Sequence, residues 1–181
     1  IGSMVIDIGG GTADIAVISL AGIVRSRNSP IAGDRFNTDI IGYIRDEFKI
    51  LLGEKTAEDV KIAIGSAHEP RDPMETTIRG RDLVTGLPRE VVITDRDVRE
   101  ALGKSFDSFL TAIKETLETT PPEIVSDIMH RGMVLVGGGS LIHGIEKFLS
   151  AELRIPIHTV EDPLTAVVRG TGIVLENLEE Y

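Results

Sequence analysis

Apolar positions follow two different patterns along the chain, short β-rich runs and helical spacing, and each points to a different kind of element. The opening segment "MVIDIGGGTADIAVISLAGIVRSRNS" breaks short β-rich runs with glycine-bearing turns. It predicts a three-stranded antiparallel meander whose glycine run joins strand to strand. Phe36, Ile40, Ile44 and Phe48 then recur at helical spacing, with Asp34 as the expected N-cap and Gly53 as the expected stop. Thr56 with Asp59 predicts a capping box for a second helix, with Val60 and Ile64 inward and Gly65 at its end. Thr94 with Asp97 repeats that device.

Between these two capping signals, "ETTIRGRDLVTGLPREVVIT" reads as a hairpin around a Gly/Pro loop. Phe106, Phe109, Leu110, Ile113 and Leu117 predict a strongly amphipathic helix ended by Pro121 and Pro122, the latter opening a short helix with Ile124, Val125 and Ile128. After it, "GMVLVGGG" predicts a buried strand, "SLIHGIEKFLSAEL" a helix and "IPIHTV" a strand. "DPLTAVVRGTGIVLENL" predicts a last helix capped by Asp162 with Pro163 at its first position. The expected order is βββα, an inserted α+β subdomain over residues 36–102, then αβαβα. Residues 1–35 and 103–181 would form the larger subdomain, with hinges near Phe36 and Leu102.

Composition narrows the chemistry. A chain of 181 residues without cysteine excludes disulfides, thiolate metal sites and cysteine nucleophiles. A formal charge of −10 argues against general nucleic-acid binding, which needs a basic surface. No apolar run approaches the roughly 20 residues of a membrane-spanning helix, and no secretory signal is visible. Ile1 is not an initiator methionine and a strand-like run starts almost at once, so an upstream part is expected. His68, His130, His143 and His158 show no metal-binding spacing.

Two glycine runs are the candidate chemistry. Asp7 ends an apolar strand and is followed by Gly9, Gly10, Gly11 and Thr12; such backbone can approach an anion, and the carboxylate can hold a metal ion through water. It is not a P-loop, since no Gly-Lys-Ser/Thr follows. Gly137, Gly138 and Gly139, followed by Ser140 and Leu141, join a buried strand to an expected helix start. Taken alone, each run is explained about as well by tight turn packing.

Together with "AGDRFN", "TAEDVKIAIG" and "DPLTAVVRGTG", the two runs resemble the ATPase superfamily of actin, heat-shock chaperones and sugar kinases. "IRGRDLVTGLPR", "ETTPPEIVSDI" and "HRGMVLVGGGSLIHGI" resemble the MreB and Mbl family in particular. The resemblance implies an α/β fold, the second domain of an actin-like ATPase: a ribonuclease-H-like βββαβαβα core with the inserted small subdomain. It implies ATP or ADP with Mg2+ in a cleft between two domains. Asp7 would hold magnesium through water, and residues 9–12 would form a phosphate turn in which Thr12 also positions the attacking water. Gly33 and Asp34 would stand near the nucleotide, with Ala32 where a second glycine is common. Glu58, Asp59, Val60 and Lys61 match the ribose and adenine segment, although Glu58 and Lys61 three apart also read as a surface ion pair. Gly137, Gly138, Gly139, Ser140 and Leu141 match the adenine-side loop.

The same resemblance implies a filament subunit at the inner face of the bacterial membrane that guides cell-wall synthesis and rod shape. Its partners would be copies of itself, a RodZ-like membrane protein and the cell-wall machinery, with membrane binding only through an upstream first domain. A chaperone-type ATPase, a sugar kinase and a non-hydrolysing scaffold are the alternatives.

Overall fold

The computed structural model describes residues 1–20 and 22–179. The meander forms as expected: β1 (Gly2–Ile8), β2 (Ala13–Ser19) and β3 (Gly22–Ser29) pair antiparallel in sequence. Two later strands, β7 (Met133–Val136) and β8 (Ile157–Thr159), add parallel to β1, giving a five-stranded mixed sheet in the order β3-β2-β1-β7-β8. Alternation sorts its two faces. Met4, Ile6, Ile8, Ala13, Ile15 and Val17 are fully buried on one side, while Asp7 and Asp14 stand opposite each other on the other.

Helix α1 (Gly33–Phe48) buries Phe36, Ile40 and Ile44 at the expected spacing. Its N-cap is Ala32 rather than Asp34, which lies in the first helical turn. The helix ends at Phe48 through Lys49 at φ 56, not at Gly53. Between them Ile50–Leu51 forms a short strand, β4, because pairing with β5 (Glu75–Asp82) buries Ile50 completely. Gly53 instead starts α2 (Glu54–Ile64). The expected Thr56–Asp59 box is absent, since the helix begins two residues before Thr56 and Asp59 takes the Lys55 ammonium at 2.6 Å. Val60 and Ile64 do face inward and Gly65 is the C-cap. The hairpin of β5 and β6 (Pro88–Thr94) completes a three-stranded antiparallel sheet with β4.

The Thr94–Asp97 capping box is present on both sides. It opens α3 (Asp95–Glu118), a single unbroken helix that crosses the expected subdomain boundary. Leu102 is fully buried about a third of the way along it, and Phe36 lies in the first turn of α1. Phe36 meets Phe106 edge-on with centroids 5.5 Å apart, locking α1 to α3. Pro122 opens α4 (Pro122–Arg131) as predicted.

The last third departs from prediction at two places. The glycine run leads into a 3₁₀ turn (Gly138–Leu141), not a helix from Ser140; the chain then extends, and α5 (Ile145–Leu153) starts after Gly144 at φ 71. Asp162 does not cap the final helix. It sits at φ 52 in a turn closed by Thr165, and α6 (Ala166–Glu176) begins four residues later, because the Pro163 carbonyl is held by the Gly137 N–H at 3.0 Å. Among the described residues, no helix is long and apolar enough to cross a membrane.

Candidate nucleotide cleft

Both glycine runs follow the carboxyl ends of strands that are parallel neighbours, β1 and β7, so both turns emerge at the same edge of the sheet. In open α/β sheets that edge is where ligands bind. The first turn is closed by the Gly9 N–H donating to the Thr12 carbonyl at 3.0 Å. Its carbonyls cap α1: Gly33 N–H donates to Gly9 at 3.0 Å and Asp34 N–H to Gly10 at 2.7 Å. The start of α1 is therefore occupied by the turn, which removes two of its donors from any ligand. The N–H groups of Gly10, Gly11 and Thr12 make no hydrogen bond among the described residues, and they form the concavity that suits an anion.

Asp7 lies between the two turns. A Cβ at Gly137 would meet its carboxylate and stand 2.5 Å from the Ile8 carbonyl, and Gly137 adopts φ 83. Only glycine leaves this space. Burial first, and then the opposed Asp14 charge, push the Asp7 carboxyl above the usual carboxylate value. Asp7 lines the cleft, with Asp14 beside it on the neighbouring strand; a carboxylate there can hold a hard cation such as Mg2+ through water, so Asp7 fits the metal that the resemblance implies.

Across the cleft, α2 presents Glu58 and Lys61. The surface ion pair allowed by their spacing does not form: the Lys61 ammonium donates to the Gly33 carbonyl at 3.1 Å. Burial lowers the Lys61 pKa, against the opposing pull of Glu58 and Asp34. The sign of its pH effect follows. Between the lowered folded value and the ordinary 10.5, the unfolded chain binds more protons, so the stability cost of the ammonium is full below the folded value and fades as pH rises through that window. Lys61→Met is therefore expected to keep or raise the melting temperature at pH 7, with the gain over wild type shrinking toward pH 10.5. Melts of both proteins across that range test the sign.

The cleft holds about 570 Å3 and brings together Asp7, Gly9, Gly10, Gly33, Glu58, Lys61, Gly137, Gly138, Gly139 and Leu141. Gly11 and Thr12 stand exposed beside it, and the Asp34 carboxylate lies over Gly10 and Gly11. Three expected side chains point elsewhere. Asp59 pairs with Lys55, Val60 is in the core at 3% exposure, and the Ser140 hydroxyl donates back to the Gly137 carbonyl at 2.6 Å.

Sequence reasoning missed the apolar side of the cleft: Ile62, Ile142, Pro163, Leu164 and Val167. Ile62, Leu164 and Val167 are exposed at 74%, 67% and 59% and cluster on one side of the cleft, giving it an apolar wall. The available signal was Ile62, which lies off the inward Val60–Ile64 stripe.

The model of the MreB/Mbl protein family matches residues 1–181. The chain is 45% identical over 179 residues to the cell shape-determining protein Mbl of Bacillus subtilis (strain 168), covering 99% of this chain and 54% of that one. It is 46% identical over 180 residues to the cell shape-determining protein MreB of Escherichia coli (strain K12), covering 99% and 52%. It thus spans about half the length of these relatives. The crystal structure of MreB5 of Spiroplasma citri bound to AMPPNP superposes with a TM-score of 0.96 at 42% identity, over 99% of this chain and 54% of that one. The MamK double helical filament shares the fold, with a TM-score of 0.81 at 22% identity over 97% and 54%. A fold carried over such coverage, with a family model matched end to end, gives the conclusion that this chain belongs to the MreB/Mbl family.

Proposed function

We propose that the chain supplies the nucleotide-binding second-domain half of an actin-like cell-shape protein and holds ATP or ADP with Mg2+ in the cleft described above. The observation that carries this reading is the convergence of the two glycine turns, Asp7 and Lys61 on one 570 Å3 cleft. The free N–H groups of Gly10, Gly11 and Thr12 bind phosphate oxygens. Asp7 holds the metal through water, and the metal neutralises phosphate charge when bound. Glu58 and Lys61 meet the ribose and base, while Ile62, Leu164 and Val167 cover the base's apolar face. Thr12 orients water for hydrolysis. Two MreB5 structures similar to this chain are described as bound to AMPPNP and to ADP, which supports the ligand class.

The same proposal extends to the whole protein. The division into residues 1–35 with 103–181 and an inserted 36–102 belongs to it, as do self-association into protofilaments and work at the inner face of the cell membrane with a RodZ-like protein and the cell-wall machinery. Relatives named as cell shape-determining support this direction, and family membership sets aside the chaperone and sugar-kinase alternatives. The test is titration with a fluorescent ATP analogue, with and without Mg2+, alongside phosphate release. Saturable, Mg2+-dependent binding displaced by ADP is expected. Its absence from the whole protein that carries this chain overturns the reading, and binding without any turnover assigns the scaffold alternative instead.

A further inference from the structure

The two walls of the cleft come from distant parts of the chain: Glu58 and Lys61 stand on α2, and Gly138–Leu141 is the turn after β7. Behind both walls, the segment leaving α2 pairs with the segment leaving that turn. The His143 N–H donates to the Gly65 carbonyl at 3.1 Å, and the Ala67 N–H donates to the His143 carbonyl at 2.8 Å, a one-residue parallel bridge between Ser66 and His143. This pairing is also why the helix predicted from Ser140 breaks before α5.

Side chains brace the bridge from below. Ser66 is fully buried; its hydroxyl donates to the His68 carbonyl at 2.6 Å and accepts from Arg99 at 3.2 Å. Arg99 also holds the Asp95 carboxylate, whose side chain is 5% exposed and accepts the Met74 N–H at 2.9 Å. On the far side, Gly144 at φ 71 lets His68 close in, since a Cβ there would stand 2.6 Å from the His68 Cβ.

We propose that this clasp sets the width of the cleft, with Arg99 as the positioning residue that holds α2 against the glycine turn whether or not nucleotide is present. Lys61 is one helical turn from Gly65, about 6 Å along the axis at 1.5 Å per residue, so movement at the clasp reaches Lys61 undiminished. Helices α1 and α3 run unbroken through the positions expected to hinge, and the buried residues of both sheets belong to one continuous core. Removing Arg99 would leave the Asp95 carboxylate buried without its cation and free the Ser66 loop, which loosens the bridge without touching nucleotide. This inference rests on the nucleotide reading for its consequence, but not for its geometry.

The experiment is amide hydrogen exchange by NMR on the chain with and without ATP analogue and Mg2+, for wild type, Arg99→Met and Arg99→Lys. The wild-type Ala67 and His143 amides are expected to be strongly protected without nucleotide and unchanged by it. Arg99→Met should speed exchange at both by about tenfold and weaken nucleotide affinity by a similar factor, with partial recovery in Arg99→Lys. If Arg99→Met does not fold, Ser66→Ala, which removes only the bridging hydroxyl, makes the same comparison. Free-peptide exchange rates without nucleotide, rising to protection with it, overturn the proposal in favour of a moving hinge. So does a loss of affinity with exchange unchanged, or no change in either. Failure of the whole protein that carries this chain to bind nucleotide refutes the function above, while the exchange at Ala67 and His143 still decides the clasp.

Discussion

Asp7→Asn is expected to weaken Mg2+–ATP binding by roughly a hundredfold, about 3 kcal/mol, while leaving the nucleotide-free protein as stable or more stable than wild type. Both effects follow from one feature. The Asp7 carboxyl is raised above its ordinary value by burial and by Asp14 opposite it on β2. For an acid whose folded pKa lies above the unfolded one, the native state binds more protons in the window between them. Stability therefore falls as pH rises from 3.8 through the folded value, and at neutral pH the charge is a standing cost. Asparagine removes that cost. It also removes the charge that would hold the metal against the phosphates. Without Mg2+ the sign should reverse, because a lone carboxylate beside Gly137 repels the same phosphates, so in chelator Asp7→Asn should bind ATP at least as well as wild type. Glu58→Ala serves as the comparison, since it removes about one ordinary hydrogen bond of 0.5–1.5 kcal/mol, a loss of roughly two- to tenfold. Equal losses for the two variants in Mg2+ would sink the role given to Asp7.

The elements legible in the sequence are those decided by local pattern. The meander, the Phe36–Ile40–Ile44 stripe, the Thr94–Asp97 box and the α3 stripe from Phe106 to Ile113 all form as read, because spacing and capping act within a few residues. The misread ends share one cause. At Ile50, at His143 and at Asp162, a backbone bond to a distant segment outweighs helix propensity: β4 to β5, His143 to Gly65, and Pro163 to Gly137. No local signal reports such partners. The cleft shows the same division. Its glycines and Asp7 were visible because two glycine runs after apolar strands, one beside a carboxylate, combine into a motif that neither run makes alone, whereas Leu164 and Val167 carry no mark of their own within the last expected helix. Only the tertiary placement shows them facing the cleft.

The glycines of the second turn should be the least replaceable residues of the site. Gly139→Ala would set a Cβ 2.7 Å from the Cβ of Ile8, a fully buried residue at the end of β1, so either the strand or the 3₁₀ turn must shift. Overpacking of this kind costs about 1–3 kcal/mol. Gly137→Ala adds backbone strain at φ 83 to its overlap with Asp7 and the Ile8 carbonyl, a further cost of about 1–2 kcal/mol. For a domain of this size, where 1 kcal/mol shifts the melting temperature by about 2–4 °C, the costs predict losses of roughly 2–12 °C for Gly139→Ala and roughly 4–20 °C for Gly137→Ala. Gly42 and Gly103 are the internal controls. Both lie inside long helices, α1 and α3, and a Cβ at either meets nothing within 4 Å. Alanine there should stabilise by about 0.5–1 kcal/mol, since it only narrows the unfolded ensemble and favours the helix. Four single-alanine variants followed by thermal melt and nucleotide titration thus carry opposite expected signs. Gly137→Ala and Gly139→Ala should lose stability and affinity together, because the displaced atoms are those that frame Asp7. Gly42→Ala and Gly103→Ala should gain stability with affinity unchanged. If Gly139→Ala melted like wild type and bound nucleotide normally, the close seating of the glycine turn on the end of β1 would be wrong, and with it the geometry assigned to this side of the cleft.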